Sequence, residues 1–530
     1  MRHSLAWRAS ATVLLMLWGA SDLLAQQPGA GRNSTAPPSR PSGVQHARAL
    51  LNANQLDRAR AVLEETINRE PASAVAHHLL GLVCERQNRL ADALSSYETA
   101  VGLDPTFAEA HDRLGFVLGR VGRTADALAA FERAVELAPN MFEAQYHLGA
   151  TRWWTRDIDG ALTALRAAVR LRPDHAEARY YLALTLKQQG QTAAAITHLR
   201  EAVRAGPKFA AARLQLGIVL QEAGDVDGAL ESLRAAVHSD PTSVDAKNSL
   251  GLALMQKGEA DEAVATFRQL VTHDPGNLTA RLNLGTALMQ ASDLEGATSV
   301  LRDALRLHPS SAEARYNLGV ALKQQDDFAG AEAELRQAIA LDPSLPEASF
   351  TLGVVLWQTE RGDEAVRTFR ELIDRRPDYG DAHLMLGTIL KQRGATTEAV
   401  TAFRAAVKCN PVSAEAHRAL GQLLGQMGDA AAAAEIQEAE RLTRRKADEQ
   451  ASAFAVAVGL QRLAAKDLAG AIERFREAVR LFPDNAQARY QLALALQRSG
   501  ARAEAQTHFA EAQRLAPYLS IPSNRQVPKR

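Results

Sequence analysis

The side chains able to do chemistry in this 530-residue chain are spaced for recognition more than for catalysis. Eight of them stand in register at intervals of 34 residues: Gln188, Glu222, Gln256, Gln290, Gln324, Gln358, Gln392 and Gln426. A primary amide offers two donors and an acceptor oxygen. A regular row of them can therefore meet the peptide groups of an extended chain with little sequence preference. Duplication of a segment carrying a good helix former near an exposed helix end explains the same row without a ligand. The adjacent pair Trp153-Trp154 is the most unusual spot. Exposed tryptophan is enriched at binding hot spots, and a tryptophan pair can equally plug an irregular turn. His77-His78 suggests a metal, but neighbours on a helix point in different directions, which makes a poor chelate.

Other chemistry is missing from the sequence. There is no H-E-x-x-H, no phosphate-cradling G-x-x-x-x-G-K, no nucleophile elbow and no dinucleotide fingerprint after a strand. No stretch reads as a strand at all. Cys84 and Cys409 lie far apart along the chain, and bridging them would require their Cα atoms to approach within about 7 Å. Both are expected to be small buried hydrophobes; their spacing supports neither zinc binding nor a redox pair. No cofactor, no metal and no enzymatic activity is expected.

The elements that position these residues follow from the prolines. Pro71, Pro105, Pro139, Pro173, Pro207, Pro241, Pro275, Pro309, Pro343, Pro377 and Pro411 are 34 residues apart, as are Pro483 and Pro517. Between Pro309 and Pro343 lie two amphipathic stretches, about Ala312–Gln325 and Ala329–Leu341, split by Asp326-Asp327. Counting each repeat so that its proline is position 32, the first starts near Arg40 and fourteen can be placed. Position 20 is alanine in all fourteen, from Ala59 through Ala331 and Ala433 to Ala505. Position 8 is mostly glycine, as in Gly81, Gly319 and Gly459, and position 24 is mostly bulky, as in Tyr97, Phe369 and Phe475. A mid-helix glycine costs about 1 kcal/mol against alanine, so it implies a second backbone pressed close. The prolines end each second helix, and acidic residues such as Glu109 and Glu313 follow at the positive end of the next helix.

This order of L-G, then A, then a bulky residue, then P, at a period of 34, resembles the tetratricopeptide repeat family over nearly all the chain beyond the N-terminus. The resemblance implies an all-α fold: a right-handed superhelical solenoid of about 14 helix-turn-helix repeats. Each repeat touches mainly its neighbours, so length extends the solenoid instead of enlarging one core.

Composition bounds the partners. Lys+Arg and Asp+Glu both number 61, so the basic footprint of nucleic-acid binding is missing. Residues 1–25 read as a signal peptide: Arg2 and Arg8 precede the apolar run Ala11–Ala20, with cleavage expected after Ala25. That run is too short for a stable membrane span, which needs about 17–25 residues. Export to the periplasm or beyond is expected; a retained N-terminal membrane anchor is the alternative. Residues 26–43 are a Pro/Gly/Ser linker expected to be disordered. The array then covers residues 44–428. Residues 429–451 contain no proline and no internal glycine and read as one long charged helix replacing a repeat junction: position 24 is Gln437, position 32 is Arg445, and Gly459 arrives four residues late. Repeats 13 and 14 occupy 452–517, and 518–530 is a tail in which Tyr518, Leu519 and Ile521 could shield the last apolar face.

In tetratricopeptide repeats, the resemblance implies, a concave groove is lined by first-helix positions 2, 5, 6, 9, 12 and 13. Candidate groove residues are then Trp153, Trp154, Gln188, Gln256, Gln290, Tyr316, Asn317, Lys323, Gln324, Gln358, Lys391, Gln392 and Gln426. Val456, Leu460 and Leu463 fall at groove positions too, which suggests that something covers them, either the long helix or a partner. The repeats of protein O-GlcNAc transferases carry an asparagine ladder at position 6, of which this chain keeps only Asn283 and Asn317. The expected function is a non-catalytic, exported interaction scaffold binding an extended peptide or a helix of a partner protein. Alternatives are an accessory subunit of a polysaccharide or protein export machine, with carbohydrate against the groove, or the targeting repeats of an O-GlcNAc-transferase-like system. The oligomeric state is left open by the sequence.

Overall fold

In the computed structural model the described residues are 42–519, and the signal and linker expectations for residues 1–41 fall outside them, as does Ile521. Among the described residues there are 27 helices, from Gly43–Asn52 to Arg502–Leu515, and no strand. The described residues divide into two compact units, one ending at Ala212 and the other beginning at Arg213. Each is a helical solenoid in which a first helix, such as Ala312–Gln324, packs antiparallel on a second, such as Phe328–Leu341.

The packing rule is visible at the glycines. A Cβ on Gly81 would fall 2.6 Å from the Tyr97 ring, and one on Gly319 would fall 2.8 Å from Cγ of Leu335. Ala331, Leu335 and Ala338 are completely buried behind Gly319. Three devices close the turns. One residue per repeat, at position 15, adopts the left-handed conformation: seven are glycines, such as Gly122, and seven are not, such as Asn88, Arg156, Asp326 and Glu360. In five repeats an Asp-x-x-Gly box caps the second helix, as where Asp327 accepts from the Gly330 N–H at 2.9 Å. The third device is a staple from position 4 to the carbonyl of the preceding proline. His77 donates to Pro71, His111 to Pro105, Gln145 to Pro139, Arg281 to Pro275 and His383 to Pro377, at 2.9–3.1 Å. His77 is thus a turn staple, while its neighbour His78 is buried between the Tyr97 and Phe107 rings.

Three expectations need correction. Cys84 is buried, but Cys409 is only half-buried at a helix end, with its thiol against the Pro377 carbonyl. The long helix spans Ala432–Ala464, 33 residues, and so begins later and ends later than residues 429–451. It fuses the second helix of repeat 12 with the first helix of repeat 13. In its first half, Ile436 and not Gln437 presses on Gly421, at 2.9 Å from an added Cβ, and Ala439 and Leu442 are buried behind it. Ala433 and Gln437 are exposed. The longer turn before Ala432 rotates the register by one residue, so the side chain that fits the glycine is the apolar one. The long helix also does not fold back over Val456, Leu460 and Leu463. Val456 is buried against Phe475, Leu463 is half-buried in the same cluster, and Leu460 is exposed. A continuous helix carries these residues straight on, so it cannot cover its own second half.

Candidate functional site

Within each unit the first helices of successive repeats lie side by side and bring their positions 5, 6, 12 and 13 onto a common wall. The contacts obey an offset of 35 residues, one more than the repeat. Position 5 of one repeat meets position 6 of the next: Asp112 accepts from His147 Nδ1–H at 2.8 Å, and Asn248 Oδ1 accepts from Asn283 Nδ2 at 2.7 Å. Position 12 meets position 13 likewise. Gln221 donates to Gln256 at 2.9 Å, Gln290 donates to the Met255 carbonyl at 2.9 Å, and the Trp357 indole donates to Gln392 at 3.3 Å. Of the amide row, then, Gln256, Gln290 and Gln392 reach laterally to a neighbouring repeat. Gln188, Gln324, Gln358 and Gln426 are exposed. Lys323 and Lys391 are half-buried, as are Tyr316 and Asn317. Burial raises the pKa of Tyr316, whose hydroxyl also bonds Thr351 at position 6 of the following repeat.

In the first unit the wall is aromatic and charged. Glu85 accepts from the Tyr97 hydroxyl at 2.9 Å and lies 3.7 Å from Arg113. Burial, with Arg113 and Arg48 nearby, holds the His78 pKa down at about 4, so this ring is neutral at neutral pH. Asp112 is fully buried and its partner His147 stacks among Phe116, Phe131 and Tyr146. The sequence signal for these pairs was the 35-residue spacing of complementary side chains, which a search at the repeat period passes over.

Trp153 and Trp154 close the first helix of repeat 4, Phe142–Trp154, just before Arg156 turns the chain in the left-handed region with φ 69°. The Trp153 ring meets Tyr181 edge-on at 5.5 Å and Trp154 at 6.3 Å. Tyr181 in turn touches Tyr146 at 6.3 Å and Tyr180 at 5.3 Å. Both tryptophans are half-buried. Burial pushes the Tyr180 hydroxyl up to about 12 and raises Tyr146 and Tyr181 as well, so all three remain hydrogen-bond donors. The Trp153 indole Nε1–H is buried and meets no acceptor in the protein. Indole is a donor only, so this group is one hydrogen bond short.

Among the described residues, no group of three or more His, Cys, Asp or Glu could hold a metal ion. In the same region no helix is long and apolar enough to cross a membrane.

Stacked helix pairs with a polar and aromatic wall define a helical-repeat scaffold for protein interactions. The chain belongs to the tetratricopeptide repeat family: profiles described as tetratricopeptide repeat match residues 44–106, 108–141, 153–210, 186–253 and 462–517. A profile described as the C-terminal domain of cilia and flagella-associated protein 70 matches residues 244–457. No curated protein matches the chain. Among solved structures, YrrB, a TPR protein described as having an unusual peptide-binding site, is 24% identical, with a TM-score of 0.32, over 35% of this chain and 95% of its own. MamA is 28% identical, with a TM-score of 0.28, over 31% of this chain and 97% of its own. The pilF protein of Pseudomonas aeruginosa is 19% identical, with a TM-score of 0.36, over 39% of this chain and 93% of its own.

Proposed function

We propose that the chain is a non-catalytic scaffold that holds an extended segment of a partner protein along the wall of repeats 4 and 5. The observation that carries this reading is the Trp153 indole N–H, buried without an acceptor inside a wall of aromatic rings. A buried donor without a partner costs about 1–3 kcal/mol; the N–H is shielded from solvent in the free chain, so a backbone carbonyl of an extended peptide satisfies it by drawing the half-buried Trp153 ring outward. Trp154, Tyr146 and Tyr180 supply apolar area beside it, and a preformed wall loses little ordering entropy on binding. Export belongs to the same proposal. It is supported by the sequence of residues 1–25, and mature protein beginning at Gln26 outside the cytoplasm is the expected fractionation result; full-length cytoplasmic protein contradicts it.

The wall is tested by selecting unstructured peptides from a displayed library on the purified chain. Trp153→Ala together with Trp154→Ala lowers capture about tenfold or more, with helical content by circular dichroism unchanged. Unchanged capture removes this site from the account.

A further inference from the structure

Aromatic rings run without a break across repeats 4 and 5. Phe142 stacks on Tyr146 with centroids 5.9 Å apart, and Tyr146 meets Tyr181 at 6.3 Å. Tyr181 meets Tyr180 at 5.3 Å, and Tyr180 meets Phe209 at 5.1 Å. The Trp153-Trp154 pair joins this row through Tyr181. No other repeat carries Phe, Tyr or Trp at both positions 5 and 6, as repeat 5 does, or at both 12 and 13, as repeat 4 does.

The hydrogen-bonding groups of this wall are one-sided. Positions 5 and 6 of both repeats, and positions 12 and 13 of repeat 4, hold no amide and no carboxylate. They offer tyrosine O–H groups and indole N–H groups, and an indole donates only. The carboxylates at position 2 are engaged: Glu143 accepts from Arg172 at 2.7 Å, and Glu177 lies 3.4 Å from Nδ1 of His175. An ordinary peptide brings one N–H with every residue. Each N–H left buried against these rings without an acceptor costs about 1–3 kcal/mol. Proline brings a carbonyl and no N–H. In the second unit the glutamine amides both donate and accept along the wall, which suits an ordinary backbone instead.

Spacing points the same way. A polyproline II helix repeats every three residues and advances about 9 Å per turn. Packed helix axes stand about 8–10 Å apart, so such a segment crossing the first helices presents the same face to each repeat in turn. Position 5 is tyrosine in both repeats, as Tyr146 and Tyr180.

We propose that the ligand of this wall is a proline-rich segment of a partner protein in the polyproline II conformation, with prolines three residues apart on Tyr146 and Tyr180 and the Trp153-Trp154 pair flanking them. This rests on the peptide site proposed above and names the chemistry of its ligand. A segment already in this conformation gives up little freedom on docking against aromatic rings. The chain's own Pro37, Pro38 and Pro41 do not reach the wall within one molecule. Pro37 is five residues from Ser42, at most about 18 Å of extended chain, while the wall lies three repeats further on at about 8–10 Å each.

Fluorescence anisotropy of labelled ten-residue peptides on the full chain tests this. Decaproline binds. A decapeptide with proline at its positions 1, 4, 7 and 10 and alanine elsewhere binds about tenfold or more tighter than its isomer with proline at 1, 2, 9 and 10. Trp154→Leu lowers decaproline affinity about tenfold or more, and Trp154→Phe retains it because the flat ring is kept, with helical content unchanged in both. No binding of decaproline, or isomers bound equally, overturns the proline assignment; the peptide site itself still stands if selected peptides are lost with Trp153→Ala and Trp154→Ala. Decaproline binding indifferent to both tryptophan changes overturns the wall as its site. Self-association of the chain that decaproline dissolves gives the wall to residues 37–41 of a second copy and overturns the partner assignment.

Discussion

A methyl group on Gly319 would stand 2.8 Å from Cγ of Leu335 and 3.3 Å from the carbonyl oxygen of Ala331. Leu335 is fully buried and has nowhere to retreat. Gly319→Ala therefore destabilises its repeat by about 1–3 kcal/mol despite the better helix propensity of alanine, measured as a lower midpoint in urea. An unchanged or raised midpoint contradicts the close-packing account. This constraint was legible in the sequence because it acts on residue size: glycine at position 8, alanine at position 20 and a bulky residue at position 24 announce where backbones touch. The wall pairs were not legible in the same way. Asp112 with His147, and Asn248 with Asn283, depend on a lateral offset of one residue between neighbouring first helices, and that offset is a property of the stack. In repeat 12 the regular count pointed to Gln437, while packing selected Ile436. Burying a glutamine amide without partners costs more than rotating the helix by one residue.

Helix ends and turns are the next level. Every repeat turns through a left-handed residue, and half of these positions carry a side chain that strains there. Glu360, with φ 60°, is exposed. Left-handed backbone costs a non-glycine residue about 1–2 kcal/mol, and the greater freedom of glycine in the unfolded chain takes back about 0.5–1 kcal/mol. Glu360→Gly is therefore expected to stabilise its repeat by about 0.5–1 kcal/mol, read as slower amide hydrogen exchange in the flanking helices Pro346–Gln358 and Gly362–Arg375. Faster exchange contradicts the strain argument. The helix pairs themselves were readable from the prolines to within a residue or two: Ala312–Gln324 and Phe328–Leu341 stand where the pattern between Pro309 and Pro343 put them. The break after Gln426 was readable too, from the missing proline and glycine. Its extent was not, because the residues at 452–464 keep the repeat's own pattern and become one helix with the preceding segment only because nothing stops them.

At the scale of the whole molecule, the chain is a protein-interaction scaffold whose repeats hold recognition groups at fixed intervals. The two units present different walls: aromatic and charged around Trp153, amide-rich from Asn248 to Gln426. Formal charge is balanced, with 61 basic and 61 acidic residues, and many of these are spent on exposed pairs between neighbouring second helices, such as Arg234 with Glu262 and Arg370 with Glu398. Such pairs contribute little stability individually, typically about 0–1 kcal/mol. The proposed peptide site turns on one group of the wall of repeats 4 and 5, the unpaired indole N–H of Trp153. The measurement that reaches this directly is the indole N–H resonance of Trp153 in the chain labelled with nitrogen-15 at tryptophan, assigned by Trp153→Phe and followed while a selected peptide is added. The account predicts that this resonance moves as the peptide saturates, because the indole has gained a carbonyl acceptor. Saturating peptide binding with the Trp153 signal unmoved would contradict it.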